Sequence, residues 1–229
     1  MTRALVIHHD ANSTLGLLRA SLEVHGIGIV EHTICPELDS PISGGPLPTL
    51  DGVDLVVLMG SRWSVYDHQS IGGWINDELD LIYQAHLAAL PVLGLCFGAQ
   101  AVAAALGGTV APLPEPEIGW YEIESDVAGI SSGPWFEWHF DGFSLPPDAS
   151  ELARSVAGPQ AFRIGNTMAT QFHPELDAEL LELWMVNDRE QLRSAGVDPD
   201  ALLADTRRHH VDAARRCTAL VAWFLAETT

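Results

Sequence analysis

A cysteine placed at a strand-to-helix turn constrains the fold of this chain more than any other feature of its sequence. Residues 91–95 are apolar and uncharged, which is typical of a strand buried on both faces of a sheet. After Cys96, residues 97–106 continue as an alanine-rich helix pattern. Gly94 and Gly98 flank the cysteine and relieve the crowding of so sharp a turn. The pattern predicts a nucleophile at the carboxyl end of a strand, beside a helix N-terminus whose N–H groups can bind an oxyanion.

Strand and helix signals alternate regularly over the first half of the chain. Strands are expected at 4–9, 27–34, 54–59 and 92–95, and helices at 14–24, 74–89 and 99–106. Alternation of this kind predicts an α/β fold with a doubly wound, mostly parallel sheet. Ligands of such sheets bind at the carboxyl ends of the strands.

The second half follows a different pattern, with shorter strands and then a long helical stretch. Short strands are expected at 109–111, 117–124 and 136–143, a hairpin at 160–164 and 167–172, and helix from 177 to 229. A chain of 229 residues could form one large domain or two small ones. Because no internal repeat or low-complexity tract divides it, we predict a single domain, 1–229, with a core of about 1–177 and a helical C-terminal extension, 178–229.

Composition excludes several classes of function. A formal net charge of −20 argues against a nucleic-acid partner, since phosphate binding needs basic patches. The chain has no lysine, which excludes Schiff-base catalysis and the P-loop. No run approaches the roughly 20 apolar residues of a membrane span, and no signal peptide is expected at the N-terminus. Three scattered cysteines favour a reducing, cytoplasmic setting over a disulfide framework.

No cofactor and no metal are expected from the sequence. The cysteines show no CxxC spacing that would indicate zinc. His8 and His9 form a pair at the end of the first predicted strand, but no further ligands follow at binding spacing. We therefore interpret them as a structural strand-end pair.

A second motif offers what a thiol nucleophile needs, namely a base and a group that orients the base. His173 and Glu175 follow an apolar strand, and Pro174 between them fixes the local backbone. We expect Glu175 to accept a hydrogen bond from one imidazole nitrogen, leaving the other to take the proton of Cys96.

Together the two motifs resemble a known family. Residues 94–100, Gly-Leu-Cys-Phe-Gly-Ala-Gln, and 171–175, Gln-Phe-His-Pro-Glu, resemble the class I (triad) glutamine amidotransferases. Segments 117–120 and 138–146 resemble the branch close to the amidotransferase domain of GMP synthase. The resemblance runs from about residue 5 to residue 175 and implies the flavodoxin-like fold of that family.

The resemblance also implies roles for individual residues. Cys96 would attack the side-chain amide of glutamine and form a thioester, while His173 acts as general base and then general acid, oriented by Glu175. The backbone N–H groups of Ser61 and Phe97 would form the oxyanion hole. The residues implied to contact the substrate are Gly60, Gln100, His139, Phe140 and Asp141.

Two segments depart from the family pattern. Ser61 and Arg62 replace its second glycine and its proline. Because serine tolerates positive φ less well than glycine, this predicts an oxyanion loop that needs to rearrange. Phe140 replaces the glycine found between His139 and Asp141, which predicts a narrower glutamine pocket.

The sequence leaves three functions open. The first is a glutamine amidotransferase that passes ammonia to an unidentified acceptor, with a synthetase subunit supplied in trans. The second is a free-standing hydrolase of a γ-glutamyl compound. The third is a catalytically quiet regulatory or binding domain with the same fold. The intact motifs favour an enzyme, whereas the two departures leave room for the quiet domain.

Overall fold

The computed structural model describes residues 2–131 and 133–228 of the chain. Its main sheet has seven strands in the order β2-β1-β3-β4-β9-β8-β7. The strands in chain order are β1 (Arg3–His8), β2 (Gly28–Thr33), β3 (Leu55–Leu58), β4 (Val92–Leu95), β7 (Ser150–Ser155), β8 (Gly158–Ile164) and β9 (Thr167–Thr170). The first four and β9 pair in parallel, and β8 and β7 extend the sheet by antiparallel pairing. The expected α/β fold with a mostly parallel sheet is confirmed.

Helices cover both faces of this sheet, as doubly wound topology requires. The helices in chain order are α1 (Gly16–Glu23), α2 (His68–Ile71), α3 (Ile75–Leu87), α4 (Phe97–Ala105), α5 (Ala178–Ser194) and α6 (Pro199–Glu227). Side chains alternate along each strand, so Ala4 and Val6 pack on the side of α1 and α6, and Leu5 and Ile7 on the side of α3 and α4. The central strands are apolar throughout because both of their faces are buried.

A second, two-stranded sheet lies outside the main one. Its strands, β5 (Val110–Tyr121) and β6 (Trp135–Phe143), pair antiparallel, with a register shift between Pro112 and Glu117. The prediction of two separate strands over 109–124 was wrong. Three prolines in this stretch remove backbone donors, which interrupts the ladder without ending the strand.

Two short elements were not predicted. Strand β7 lacks a clear alternation of apolar residues, so its pattern resembles a loop. Helix α2 lies between the strand predicted at 54–59 and the helix predicted at 74–89. It has four residues and begins at Asp67, whose side chain accepts a hydrogen bond from the Ser70 N–H. A single turn of helix leaves no periodic signal in the sequence.

The C-terminal extension is helical, as expected, but it is not peripheral. Asp198 begins α6 by accepting from the N–H groups of Asp200 and Ala201, with Pro199 in the first turn. Leu220 and Phe224 of this helix lie in the same buried cluster as the strands. In the described part of the chain, no helix combines the length and low polarity that crossing a bilayer would need.

Candidate active site

Cys96 occupies the turn between β4 and α4 in a strained conformation. Its φ is 49° and its ψ −106°, a region that non-glycine residues rarely adopt. A Cβ at Gly94 would lie 2.7 Å from the Gly98 carbonyl oxygen, and one at Gly98 would lie 2.3 Å from that of Leu58. The flanking glycines therefore act by letting β3, β4 and α4 approach closely, and the turn itself is made by the cysteine.

His173 and Glu175 lie against the cysteine. The Nδ1 of His173 donates to Glu175 Oε1 at 2.7 Å, and both side chains are buried. The Nε2 of His173 has no hydrogen-bond partner among residues 2–131 and 133–228. A Cβ at Gly60 would lie 3.1 Å from His173 Cε1 and 3.7 Å from Cys96 Cβ. The free edge of the imidazole and the nucleophile thus converge beside Gly60.

The charge around His173 favours its protonated form. Burial alone lowers the pKa of His173, but the negative charges of a Cys96 thiolate and of Glu175 outweigh burial and raise the pKa well above its ordinary value. The imidazolium form of His173 can supply a proton to a leaving group beside Cys96.

Aromatic side chains hold the imidazole in place. The ring of His173 packs 5.0 Å from that of Trp184 and 6.3 Å from that of Phe136, in edge contacts. The His173 N–H also donates to the Phe136 carbonyl at 2.8 Å. Trp184 belongs to α5, so the C-terminal extension supports the base directly.

A cavity of about 330 Å³ opens over these groups. Nine of the ten residues predicted for the site line it, namely Gly60, Ser61, Cys96, Gln100, His139, Phe140, Asp141, His173 and Glu175. Phe97 does not line it, because its side chain packs into the core 4.6 Å from the ring of His9.

Other residues of the cavity wall were not predicted. They come from the loop after β1, the loop after β3, strand β6 and helix α5: Asp10, Asn12, Ser13, Arg62, Trp63, Ser64, Trp138, Trp184, Asp188 and Gln191. The residues in the loops after β1 and β3 follow the carboxyl ends of parallel strands. They could have been predicted, because ligands of such sheets bind at those ends. Nothing in the sequence of α5 indicates that it reaches the cavity.

The oxyanion loop is less strained than its sequence suggested. Neither Gly60 nor Ser61 has a φ in the left-handed region, so the serine Cβ costs nothing there. The Ser61 N–H donates to no acceptor in the part of the chain that the structure describes. Arg62 forms ion pairs with Asp39 and with Asp188, the latter at 3.5 Å. The rearrangement expected from the loss of glycine is therefore not required by backbone strain.

The side-chain nitrogen of Gln100 already forms hydrogen bonds within the protein. Its Nε2 donates to the Asp141 carbonyl at 3.1 Å and to Gln171 Oε1 at 3.2 Å. The amide nitrogen of Gln171 in turn lies 3.7 Å from Cys96 Sγ. Only the carbonyl oxygen of Gln100 is left to contact a ligand.

Phe140 and Asp141 are neighbours on β6, so their side chains point to opposite faces of the strand. The Asp141 carboxylate is buried and accepts hydrogen bonds from the hydroxyls of Ser64, at 2.5 Å, and Tyr66, at 2.7 Å. Phe140 is 39% exposed and stands at the rim of the cavity. Both therefore shape the entrance, where the predicted narrowing by Phe140 remains a prediction.

His139 is held in a buried acidic cluster. Its Nδ1 donates to the Asp141 carbonyl at 2.9 Å, and its Nε2 lies 3.1 Å from Glu117 Oε2 and 3.3 Å from Glu137 Oε2. Burial alone lowers the pKa of His139, but the hydrogen bond to Glu117 and the proximity of Glu137 raise it to about 10. Burial raises the pKa of Glu137.

Within the described residues, this cluster is the one group with the spacing to hold a metal, since its ligand atoms lie within 4.8 Å of one another. Glu117 is already satisfied, since His139 Nε2, Ser155 and Gln160 all donate to it. Neither carboxylate oxygen of Glu137 has a hydrogen-bond partner among the described residues, which fits the uncharged form that its raised pKa favours. Both nitrogens of His139 are engaged, so neither is free for a substrate, and the expected absence of a metal stays a prediction.

The other two cysteines lie away from the cavity. Cys35 and Cys217 are both buried. Burial raises the pKa of Cys35 to about 11 and that of Cys217 to about 12. Both thiols are therefore poor nucleophiles, since the thiolate is the reactive form.

Residues 39–189 match the family profile described as glutamine amidotransferase class-I. The chain is 31% identical over 161 residues to a glutamine amidotransferase-like protein of Salmonella typhimurium, YfeJ, covering 65% of this chain and 67% of that protein. It is 32% identical over 167 residues to a GMP synthase (glutamine-hydrolyzing) of Aeropyrum pernix, covering 66% of this chain and 30% of the synthase. The match thus spans less than a third of that enzyme's length.

Solved structures extend the similarity over the whole chain. The crystal structure of a glutamine amidotransferase from Thermotoga maritima superposes with a TM-score of 0.85 at 25% sequence identity. The superposition covers 98% of each chain. The similarity therefore includes the end of α5 and the whole of α6, which lie beyond the family match.

Proposed function

The chain belongs to the class-I glutamine amidotransferase family, and from that premise we propose that it hydrolyses the side-chain amide of glutamine or of a γ-glutamyl compound. Cys96 is the nucleophile, His173 the base and acid, and Glu175 the orienting group. The observation that carries the proposal is the convergence of the strained Cys96 turn and the His173–Glu175 pair in one cavity.

The proposed reaction has two halves. The Cys96 thiolate attacks the amide carbon, and the carbonyl oxygen becomes an oxyanion bound by the N–H groups of Ser61 and Phe97. His173 Nε2 then donates its proton to the leaving nitrogen, so that the C–N bond breaks, an amine or ammonia departs and a thioester remains. In the second half Nε2 takes a proton from water, the resulting hydroxide attacks the thioester, and Cys96 leaves as the carboxylate product forms.

The hydrogen bond between Nδ1 and Glu175 supports these roles. Because Nδ1 donates to the carboxylate, Nε2 is the nitrogen free to exchange protons with the thiol and the leaving group. Glu175 also stabilises the imidazolium by its charge. Mutation of one oxyanion donor typically costs about 10²–10³ in kcat, so Ser61 and Phe97 carry part of the rate.

We propose two alternative fates for the released nitrogen. The first is transfer of ammonia to an acceptor on a separate synthetase subunit, and the similarity to a GMP synthase supports it. The second is plain hydrolysis of a γ-glutamyl compound. Helix α5 favours the second, because Trp184, Asp188 and Gln191 close one side of the cavity with the chain's own residues. In either case we propose a single domain acting in the cytoplasm, where its three free cysteines stay reduced.

The test is release of ammonia from glutamine by the purified chain and by Cys96→Ala, with Cys35→Ala as the matched control. We expect activity in the wild type and in the control and none in Cys96→Ala. A glutamine-like chloroketone should alkylate Cys96 alone, as mass spectrometry of peptides would show. Equal turnover by Cys96→Ala, or a wild type that is neither active nor alkylated, would favour the quiet binding domain. Stimulation by a copurifying protein would support transfer over plain hydrolysis.

A further inference from the structure

His9 is a fully buried histidine that the proposed reaction leaves without a role. It directly follows β1 and lies beneath the oxyanion loop, with its ring packed between those of Phe97 and Trp74. Its Nδ1 is 3.1 Å from the Gly60 carbonyl oxygen, and its Nε2 is 2.8 Å from Glu78 Oε1 on α3. One imidazole therefore connects the core to the loop.

The direction of these hydrogen bonds follows from the partners. A carbonyl oxygen can only accept, so Nδ1 carries a proton and donates to Gly60. Nε2 faces the buried carboxylate of Glu78. Burial lowers the pKa of His9, but the charge of Glu78 and the hydrogen bonds to Glu78 and Gly60 outweigh it, and the pKa is raised. An imidazolium bound on both sides is a strong and rigid donor to the loop.

Holding the Gly60 carbonyl also determines where the next N–H points. The peptide bond is planar and trans, so its C=O and N–H point in opposite directions. With the Gly60 oxygen turned toward His9, the Ser61 N–H points away from the core. Ser61 lines the cavity beside Cys96, and its N–H has no acceptor among the described residues.

We propose that His9 is a positioning residue for the oxyanion hole, which holds the Gly60–Ser61 peptide so that the Ser61 N–H faces the reacting carbonyl oxygen. The inference rests on the proposed function and extends it to a residue outside the triad. Glu78 supports the same arrangement from α3 by fixing the other side of the ring. A loop held in this way is formed before substrate binds and needs no partner to arrange it.

The test uses two amides that each replace one ring nitrogen. In His9→Asn the amide nitrogen takes the position of Nδ1 and still reaches the Gly60 carbonyl. In His9→Gln it takes the position of Nε2 and reaches Glu78 instead. Both variants are polar and similar in size, so a purely structural role would not separate them. The matched control is the same pair of substitutions at His86. This histidine lies on α3, like Glu78, and its Nδ1 is 3.0 Å from Thr167 Oγ1.

We expect His9→Gln to lower the kcat for glutamine about 100-fold, the effect of losing one oxyanion donor, with little change in KM. His9→Asn should retain most of the wild-type kcat, and the His86 variants should retain all of it. Thermal unfolding of each variant is measured alongside. Equal kcat in His9→Asn and His9→Gln, whether high or low, would overturn the proposal.

Failure of the proposed function is distinguishable from failure of this inference. If the wild type hydrolyses nothing, the proposed function fails, and crystal structures of the two His9 variants then decide the inference. A Gly60–Ser61 peptide that turns over in His9→Gln and stays in place in His9→Asn would support it. A peptide that is unchanged in both would overturn it.

Discussion

Cys96 holds a backbone conformation that glycine adopts more easily than any other residue. With φ at 49° and ψ at −106°, the cysteine stores strain of about 1–3 kcal/mol. We expect both Cys96→Gly and Cys96→Ala to abolish hydrolysis. We also expect Cys96→Gly to be the more stable of the two by about 1 kcal/mol, because glycine relieves the strain at some cost in chain entropy. Chemical denaturation measures the difference.

Cys217 provides the control for this comparison. It lies inside α6, where glycine costs about 1 kcal/mol relative to alanine. The order of stability should therefore reverse, with Cys217→Ala above Cys217→Gly. A Cys96→Ala variant as stable as Cys96→Gly would mean that the turn is not strained.

The pair His173–Glu175 predicts a change in the pH profile. Glu175→Gln keeps an acceptor for Nδ1 but removes the charge that helps raise the pKa of His173. The histidine then loses its proton at a lower pH, so the alkaline limb of kcat/KM should move to lower pH. His173→Ala removes proton transfer, typically worth about 10²–10⁴ in rate, and should be the more damaging change. An unshifted alkaline limb would show that Glu175 does not act on the charge of His173.

Glu137 should make stability depend on pH. Burial raises its pKa above the usual 4.5, so the folded state holds a proton that the unfolded state releases. Stability from this group is complete below pH 4.5 and is lost as the pH rises through the folded pKa. Glu137→Gln is neutral at every pH and avoids the loss. Its melting temperature relative to the wild type should therefore increase between pH 4 and pH 8, and a decrease would mean that an ionised Glu137 holds His139 in place.

Among the elements, α5 bears most directly on the site. Trp184 contacts the His173 ring, packs 5.8 Å from the Trp138 ring, and donates from Nε1 to the Asn12 carbonyl at 3.2 Å. Trp184→Ala should lower the kcat for glutamine about 10- to 100-fold, because the base loses its exact placement. It should also enlarge the cavity, so that bulky γ-glutamyl anilides are hydrolysed better relative to glutamine.

Trp223 on α6 is the control for this prediction. It packs against the buried cluster that contains Leu220 and Phe224, and it does not line the cavity. Trp223→Ala should reduce stability and leave the ratio of anilide to glutamine hydrolysis unchanged. The same ratio in both tryptophan variants would contradict a role for α5 in substrate selection.

The excess negative charge of the chain as a whole works against the compact state. The formal net charge of −20 causes self-repulsion that salt screens, since the Debye length falls from about 30 Å at 0.01 M to about 10 Å at 0.1 M. We expect the melting temperature to rise between 10 and 200 mM NaCl at pH 7.5. Near the isoelectric point of about 4.6 the increase should disappear. A decrease with salt at pH 7.5 would mean that ion pairs such as Arg163–Glu227 outweigh the repulsion.

Local sequence patterns were sufficient to predict the parallel sheet, the cysteine turn and the meeting of Cys96 with His173 and Glu175. Each depends on local patterns: a run of apolar residues at 92–95 forms a strand buried on both faces, and an alanine-rich run after Cys96 forms a helix. His173 and Glu175 follow β9, which pairs directly with β4. Because parallel strands bring their carboxyl ends to one edge, placing both motifs at strand ends was sufficient to bring them together.

The surroundings of Cys96 and His173 could not be predicted from local patterns and became apparent only from the packing of the folded chain. The contact of Trp184 with His173 and the link from His9 to Gly60 join segments that are distant in sequence. No periodicity or spacing encodes such contacts, because they depend on how α5 and the oxyanion loop pack once the sheet has formed. The expectation of a strained φ at Ser61 failed for the same reason. It was based on local propensity, which carries no information about the contact between His9 and the Gly60 carbonyl.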